Sequence, residues 1–435
     1  PETDNILRVQ PMFRAQRTGP RLSMGIGYAP DLRYSVEGTV SDNVEHRLDA
    51  FANYELIRNY LTLNETATGR HVLIDSQDSA GFESVSNPDA FTQEFSYRIW
   101  PTIRFPVTGF GMDDQLATVQ FEPGVSLTTG GISSEGVEDF ERRGTISRLE
   151  ITSGPYFTRI PWRISYRNDI FDVDTDDSWG RVDGTLGFQF NPHFRLDMTF
   201  GYDSLEVGDG DDEDGVRWRA TFNWIPTNRT SLRFGFGEAF FGNDWVLGLS
   251  HRHKRFVITA SYDLNVQDAA TELAGVSVIP FDDAFGNPAP PILEQDLDVF
   301  APTPILIDDI YFHKRFRTSV SWSEGRMTSS VELRHDVRDY REGNFDTVDT
   351  YLDWRVGRRI ATRLSGDVRL LYWDHREHDT DRPDFEQYGL ELGFDYRFAR
   401  SISAGLSYRF TERSSTDPER DFDEGRLLLR LNLTL

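Results

Sequence analysis

The sequence contains no cysteine. There is no thiol to form a disulfide, and the absence fits a chain that crosses an oxidising periplasm. No segment reaches the roughly 18–20 uninterrupted apolar residues that a transmembrane helix requires. Positive charge is also in deficit: 46 Lys and Arg stand against 71 Asp and Glu, a formal net charge of −25. Without a basic face to neutralise phosphates, nucleic acid is not an expected partner. Nucleophile elbows of the G-x-S-x-G type, phosphate-binding loops and haem-attachment motifs are missing, and the Ser and His residues are scattered, so no enzymatic activity is expected. The chain opens on Pro1 with no charged-then-apolar leader, which implies a signal peptide already removed or lying upstream.

What the sequence does hold is period-2 alternation. Over 388–398, Tyr388, Leu390, Leu392, Phe394, Tyr396 and Phe398 share one parity and Gln387, Glu391, Asp395 and Arg397 the other. Side chains on a strand alternate between faces, so such a segment has one apolar face and one charged face. The pattern repeats at 402–410 and 427–435, and upstream at 182–190, 195–203 and 216–224. It continues at 162–168, 232–236, 245–251, 256–262, 316–322, 327–337, 348–356 and 364–372. Nearer the N-terminus strands are expected at 5–15, 22–36, 44–56, 59–70, 93–107, 114–128 and 143–157. That makes about 21 strands of about 9–14 residues, against the roughly 9–11 that a tilted strand needs to cross a bilayer. Strands of soluble sandwiches are shorter, most often about 5–6 residues.

The expected fold is therefore all-β: a single domain over 1–435, a transmembrane antiparallel meander β-barrel of about 22 strands, range 18–22. Bacterial barrels have even strand numbers when both ends are periplasmic, so an odd count implies one more strand, most simply upstream of Pro1. Short connections at 16–21, 57–59, 158–161, 191–193, 226–230, 252–255, 323–326, 357–359 and 399–401 alternate with longer acidic ones. The longer ones are 172–177, 208–215, 266–312, 339–346, 374–384 and 411–423. Short periplasmic turns and long external loops are the barrel pattern. Arg clusters at the short turns, while the long loops hold most of the Asp and Glu. Both fit solvated ends. Alternatively the acidic rim gathers loosely bound divalent cations that bridge to lipopolysaccharide, or repels anions.

Alternation assigns side chains to the two faces. The lipid-facing set comprises Leu186, Phe188, Phe200, Phe222, Leu364, Leu390, Leu392, Phe394, Leu406, Leu429 and Leu431. The lumen-lining set includes Arg163, Arg167, Asp183, Arg195, Asp197, Arg217, Arg219, Arg233 and Arg317. It continues with Arg334, Asp353, Arg355, Arg363, Asp367, Arg369, Glu391, Asp395, Arg397 and Arg409. Cross-strand ion pairs would account for these charges structurally. A hydrated mixed-charge wall would also suit polar or anionic solutes, including acidic sugars. Aromatic residues near strand ends (Trp224, Phe194, Phe398 and Tyr60 by turns; Tyr202, Tyr372, Trp179 and Tyr340 by loops) suit the membrane interfaces.

The connection 266–312 combines six prolines with apolar pieces at 276–279 and 305–307. Loops beyond about 12–15 residues are usually functional or disordered, and this one is expected to fold over or into the pore, or to dock a partner. Asp209, Asp211, Asp212, Glu213 and Asp214 lack the twelve-residue calcium-loop spacing. His251 with His253 on one strand face, and His375 with His378 in a loop, have no third ligand fixed by spacing, so no metal site is expected.

Three pieces carry a family resemblance: Thr3-Asp4-Asn5-Ile6, Tyr34-Ser35-Val36-Glu37-Gly38, and the run from Asn43 to Asn64, NVEHRLDAFANYELIRNYLTLN. Here the chain resembles the outer-membrane β-barrel proteins associated with PEP-CTERM/exosortase and exopolysaccharide gene clusters. The resemblance implies a barrel that serves polysaccharide export, with outer-membrane lipid, lipopolysaccharide and a polysaccharide or periplasmic export component as partners. It carries over no functional residue. Barrel proteins usually end in Phe or Trp, whereas this chain ends in Leu435. Taken together, the expectations are a Gram-negative outer-membrane conduit for polar solutes, a general diffusion porin, or a closed structural barrel whose loops dock a partner.

Overall fold

In the computed structural model, residues 6–9, 11–35, 43–73, 91–108, 115–132, 140–172, 177–207, 213–268, 310–341, 346–378, 383–399 and 402–433 are described. They form one antiparallel sheet of 23 strand segments. The N-terminal group is β1 (Ile6–Val9), β2 (Phe13–Thr18), β3 (Leu22–Ser35), β4 (Asn43–Ile57), β5 (Leu61–Leu73), β6 (Phe91–Thr108), β7 (Gln115–Ile132) and β8 (Phe140–Ser153). The central group is β9 (Trp162–Asp172), β10 (Asp177–Asn191), β11 (Phe194–Glu206), β12 (Glu213–Thr227), β13 (Thr230–Ala239), β14 (Gly242–Asn243), β15 (Val246–His253) and β16 (Phe256–Asp268). The C-terminal group is β17 (Ile310–Glu324), β18 (Met327–Tyr340), β19 (Asp346–Arg359), β20 (Leu364–His378), β21 (Phe385–Arg397), β22 (Ile402–Ser415) and β23 (Phe422–Leu433).

Each strand pairs with its neighbours in sequence, with no crossover. β1 and β2 lie end to end along β3, and Pro11, which has no N–H to give the ladder, falls in the gap. The single strand expected at 5–15 is thus two pieces. Counted as one, they leave 22 strands, among which β14 is a two-residue piece on the same edge of β13 that β15 takes up. Tight turns fix the register. At 325–326 the chain reverses in two residues, and Gly325 takes φ +60, in the left-handed region that favours glycine.

The sheet is inside out. Between β20 and β21, Val368 faces Leu392, Leu370 faces Leu390 and Tyr372 faces Tyr388, all of outward parity. One residue over, Arg369 faces Glu391 and Asp367 faces Gly393. Phe394 is 52% exposed, whereas Gln387 and Glu391 of the same strand are buried. On β10, β11 and β23 the outward side chains are exposed as well: Leu186, Phe188, Phe200, Leu429 and Leu431. A long apolar surface outside a polar interior, with every central strand paired on both edges, is the architecture of a transmembrane β-barrel.

Most strands run further toward the loops than alternation predicted. β16 reaches Asp268 and β17 starts at Ile310, so Val266 and Phe312, the expected ends of the long loop, are strand residues. The reason is physical. Beyond the hydrocarbon no face needs to be apolar, so alternation fades while the backbone ladder continues. Residues 269–309, including the apolar pieces noted above, lie outside the described residues, as do Asp209, Asp211 and Asp212.

Candidate functional site

Among the described residues, the inner-facing charges include three paired groups and an open sector. In the first group Arg181 Nε donates to Asp203 Oδ1 at 2.5 Å, and Arg167 Nε to Asp169 Oδ2 at 2.6 Å. Both guanidiniums lie over the ring of Trp179, at 4.4 and 4.6 Å from its centre. Arg217 is only 1% exposed; its Nη2 donates to Asp244 Oδ2 at 2.7 Å and its Nη1 to Asp183 Oδ2 at 3.3 Å. Arg219 shares Asp244, at 3.2 Å. Glycine on the neighbouring strands leaves room for inward side chains: a side chain on Gly201 would collide with Asp183, and one on Gly187 with Asp197 and Arg195.

The second group lies on β17–β22 near the loops. Asp336 accepts from Arg315 Nε at 2.9 Å and from Arg334, and stands 3.0 Å from His313 Nε2. Asp349 accepts from Arg338 at 2.8 Å and from Trp373 Nε1 at 2.9 Å, and contacts His375 Nδ1 at 2.8 Å. Tyr351 stacks on Trp373, whose ring meets Phe385 edge-on, and Arg413 lies 4.0 Å above Phe385. The third group is lower on the same wall: Arg369 to Asp353 at 2.8 Å, Arg355 to Asp353 at 3.2 Å and Arg409 to Glu391 at 3.0 Å. Buried ions of this kind persist only where each is paired and hydrogen-bonded.

The open sector sits by the short turns of β9–β13. Arg163 is 3.9 Å from Glu150, and its side chain is 47% exposed. Arg195 donates to Asp197 at 2.6 Å, Asp197 also accepts from Asn223, and Arg233 is exposed. Arg317, on β17, is also exposed and donates to Glu332 at 2.8 Å.

Three assignments need correction. Arg363 lies in the bend 361–363 and donates to the carbonyl of Phe398 rather than standing on a strand face. His375 and His378 belong to β20, not to a loop, and His375 is buried beside Asp349 and Glu377. Trp179 and Tyr340, expected at the lipid interface, are 1% and 3% exposed because they share inward parity with Arg181 and Arg338. Asp367, Asp395 and Arg397 are exposed at their positions on β20 and β21, and Phe222, Leu364 and Leu390 are half-buried.

The sequence reading missed the tip of the β13–β15 hairpin. This hairpin ends low in the wall, and its tip, 240–245, folds inward: Asp244 reaches Arg217 and Arg219, and Phe240 lies against the inner side of Gly215. Phe240 and Phe241 pack on Phe312. There they meet a buried apolar cluster of Phe171, Trp179, Leu205, Val207, Val266, Ile310 and Phe312. Arg341, beyond β18, bonds Glu213 at the start of β12 and lies over Phe312. Burial disfavours its charge, but Glu213 and Asp339 outweigh that and hold its pKa above the ordinary value. The loop-side ends of β9–β12 and β16–β18 therefore meet above the short hairpin. A signal existed in the sequence: Glu238 to Trp245 breaks the alternation with Phe240, Phe241, Gly242 and Asp244.

No family model matches the sequence, and no curated protein matches it. Solved outer-membrane barrels do match in structure. The FrpB iron transporter of Neisseria meningitidis, F5-1 variant, superposes in its apoprotein form with TM-score 0.51 at 9% identity, over 99% of this chain and 80% of that one. A second structure of that variant gives TM-score 0.50 at 9% identity, over 99% and 82%. The ferric-catecholate import receptor Fiu of E. coli K12, closed form, gives TM-score 0.40 at 9% identity, over 98% and 74%. The similarity to FrpB is one of fold: a large outer-membrane β-barrel.

Proposed function

We propose that this chain is an outer-membrane conduit of a Gram-negative bacterium that passes polar solutes and serves exopolysaccharide export. The observation that carries the reading is the charged inner wall, with Arg163, Arg195 and Arg233 open to water, in a barrel of 22 strands. Barrels of about 16–18 strands already leave an aqueous channel, and wider ones must be plugged to be closed. The fold shared with an iron transporter supports solute passage in general. The exopolysaccharide element rests on the resemblance of residues 3–6, 34–38 and 43–64.

A second reading, a closed docking barrel, is favoured by the burial of Asp203, Arg217, His313 and Asp336 near the loops. Planar-bilayer recording separates the two. The conduit reading expects stepwise ohmic conductance, reduced when long oligosaccharides enter the pore. Insertion without current would establish the closed barrel. Free passage of small sugars with no effect of long ones would make it a general diffusion porin.

A further inference from the structure

Across the short-turn ends of β10 to β13, Gln189, Arg195, Asn223 and Arg233 stand in direct register, one per strand, all of inward parity. Adjacent strands lie about 4.8 Å apart, so this is an evenly spaced row of side chains rich in N–H donors. Arg163, the second residue of β9, stands opposite Thr185, four residues along β10 from Gln189. The charges that act on Arg233 are those of Arg219, Arg163 and Arg195, opposed by Asp197. Asp197 is already engaged by Arg195 and Asn223, and Asp244 by Arg217 and Arg219. With Glu150 3.9 Å from Arg163, the guanidiniums of Arg163, Arg195 and Arg233 face two carboxylates, Glu150 and Asp197, a local surplus of positive charge inside a molecule whose net charge is −25. Arg217 and Arg409, by contrast, are buried on carboxylates. Here the side chains of Arg163 and Arg195 are 47% and 39% exposed.

Chemistry of the basic residues points the same way. All but two of the 46 are arginine, Lys254 and Lys314 being the exceptions. Guanidinium forks hold carboxylates in two parallel hydrogen bonds, which an ammonium does not do.

We infer that the row Gln189–Arg195–Asn223–Arg233 with Arg163 is a binding site for an anionic oligosaccharide, a sugar chain bearing carboxylates, at the short-turn mouth. The inference deepens the conduit reading and rests on it for direction: under that reading the short turns are periplasmic, and an exported chain meets this row first. Guanidiniums would take the carboxylates, while Gln189, whose Nε2 already donates to the Asn191 carbonyl at 2.5 Å, and Asn223, whose Nδ2 donates to Asp197, would accept from the hydroxyls between them through their amide oxygens.

The test is calorimetric titration of the folded barrel in detergent at low ionic strength with tetragalacturonate, and with neutral maltotetraose. Tetragalacturonate should bind and maltotetraose should not. R163Q/R195Q/R233Q should weaken binding tenfold or more. R233Q alone, which removes an exposed side chain and keeps the fold, should weaken it several-fold. R58Q, removing an exposed charge from the turn 58–60, should leave it unchanged. Unaltered affinity in the triple variant, equal binding of the neutral sugar, or an equal loss with R58Q overturns the site. A barrel that binds the uronate yet passes no current in a bilayer refutes the conduit and leaves the site standing; one that conducts yet binds no uronate does the reverse.

Discussion

Individual side chains in this barrel differ in what their charge contributes, and exposure decides it. Arg217 is 1% exposed and holds Asp244 and Asp183, with Asp203 at 3.9 Å. Replacing it by Ala strands buried carboxylates, which costs about 3–5 kcal/mol. Arg317 pairs with Glu332 in solvent, the two side chains being 56% and 38% exposed. Its replacement by Ala should cost about 0–1 kcal/mol. Urea unfolding of both variants in lipid checks the contrast, and similar losses would mean that the inner wall is uniformly hydrated. Parity predicted the face of Arg217. It did not identify Asp244 as a partner, because that residue lies outside any alternating segment and arrives only through the fold of a hairpin tip. His313 and Arg338 were missed for a related reason: they lie outside the alternating segments 316–322 and 327–337, where the strands continue without an apolar face to mark them, whereas Asp336 and Asp349 lie inside expected strands and their burial arises from partners that parity does not identify.

At the scale of elements, the β13–β15 hairpin is the irregular member. Its neighbours β12 and β16 rise past it, and its tip turns inward through Gly242 at φ +103, a conformation that excludes most side chains. Phe240 and Phe241 there join the apolar cluster that links β9–β11 with β16 and β17. If this tip narrows the passage, the double variant F240A/F241A should show a larger unit conductance in bilayers with the barrel still folded. An unchanged conductance would place the narrowing elsewhere. Elements as such were largely legible. The strands at 388–398, 402–410 and 327–337 were placed within a few residues, since lipid on one side and water on the other impose strict alternation. Pro11 explains the break in the first strand, and the short piece β14 falls where alternation lapses between Glu238 and Trp245.

For the whole molecule, the decisive property is the inversion of inside and outside. Phe200 and Leu431 stand outward at 59% and 66% exposure while Asp203 and Asp336 are fully buried. Such a surface is stable only against hydrocarbon. That arrangement was written in composition as well as pattern: low overall hydropathy together with 13% aromatic residues suits a wall of which only half must be apolar. The most direct test uses the absence of cysteine. Single cysteines placed in turn at residues 386–396 of β21, labelled with bimane in liposomes containing brominated lipid, report which positions touch acyl chains. Strong quenching should appear at 388, 390, 392, 394 and 396 and be absent at the residues between them. Quenching without a period of two, or none along the strand, would contradict the assignment of the two faces and with it the barrel in the membrane.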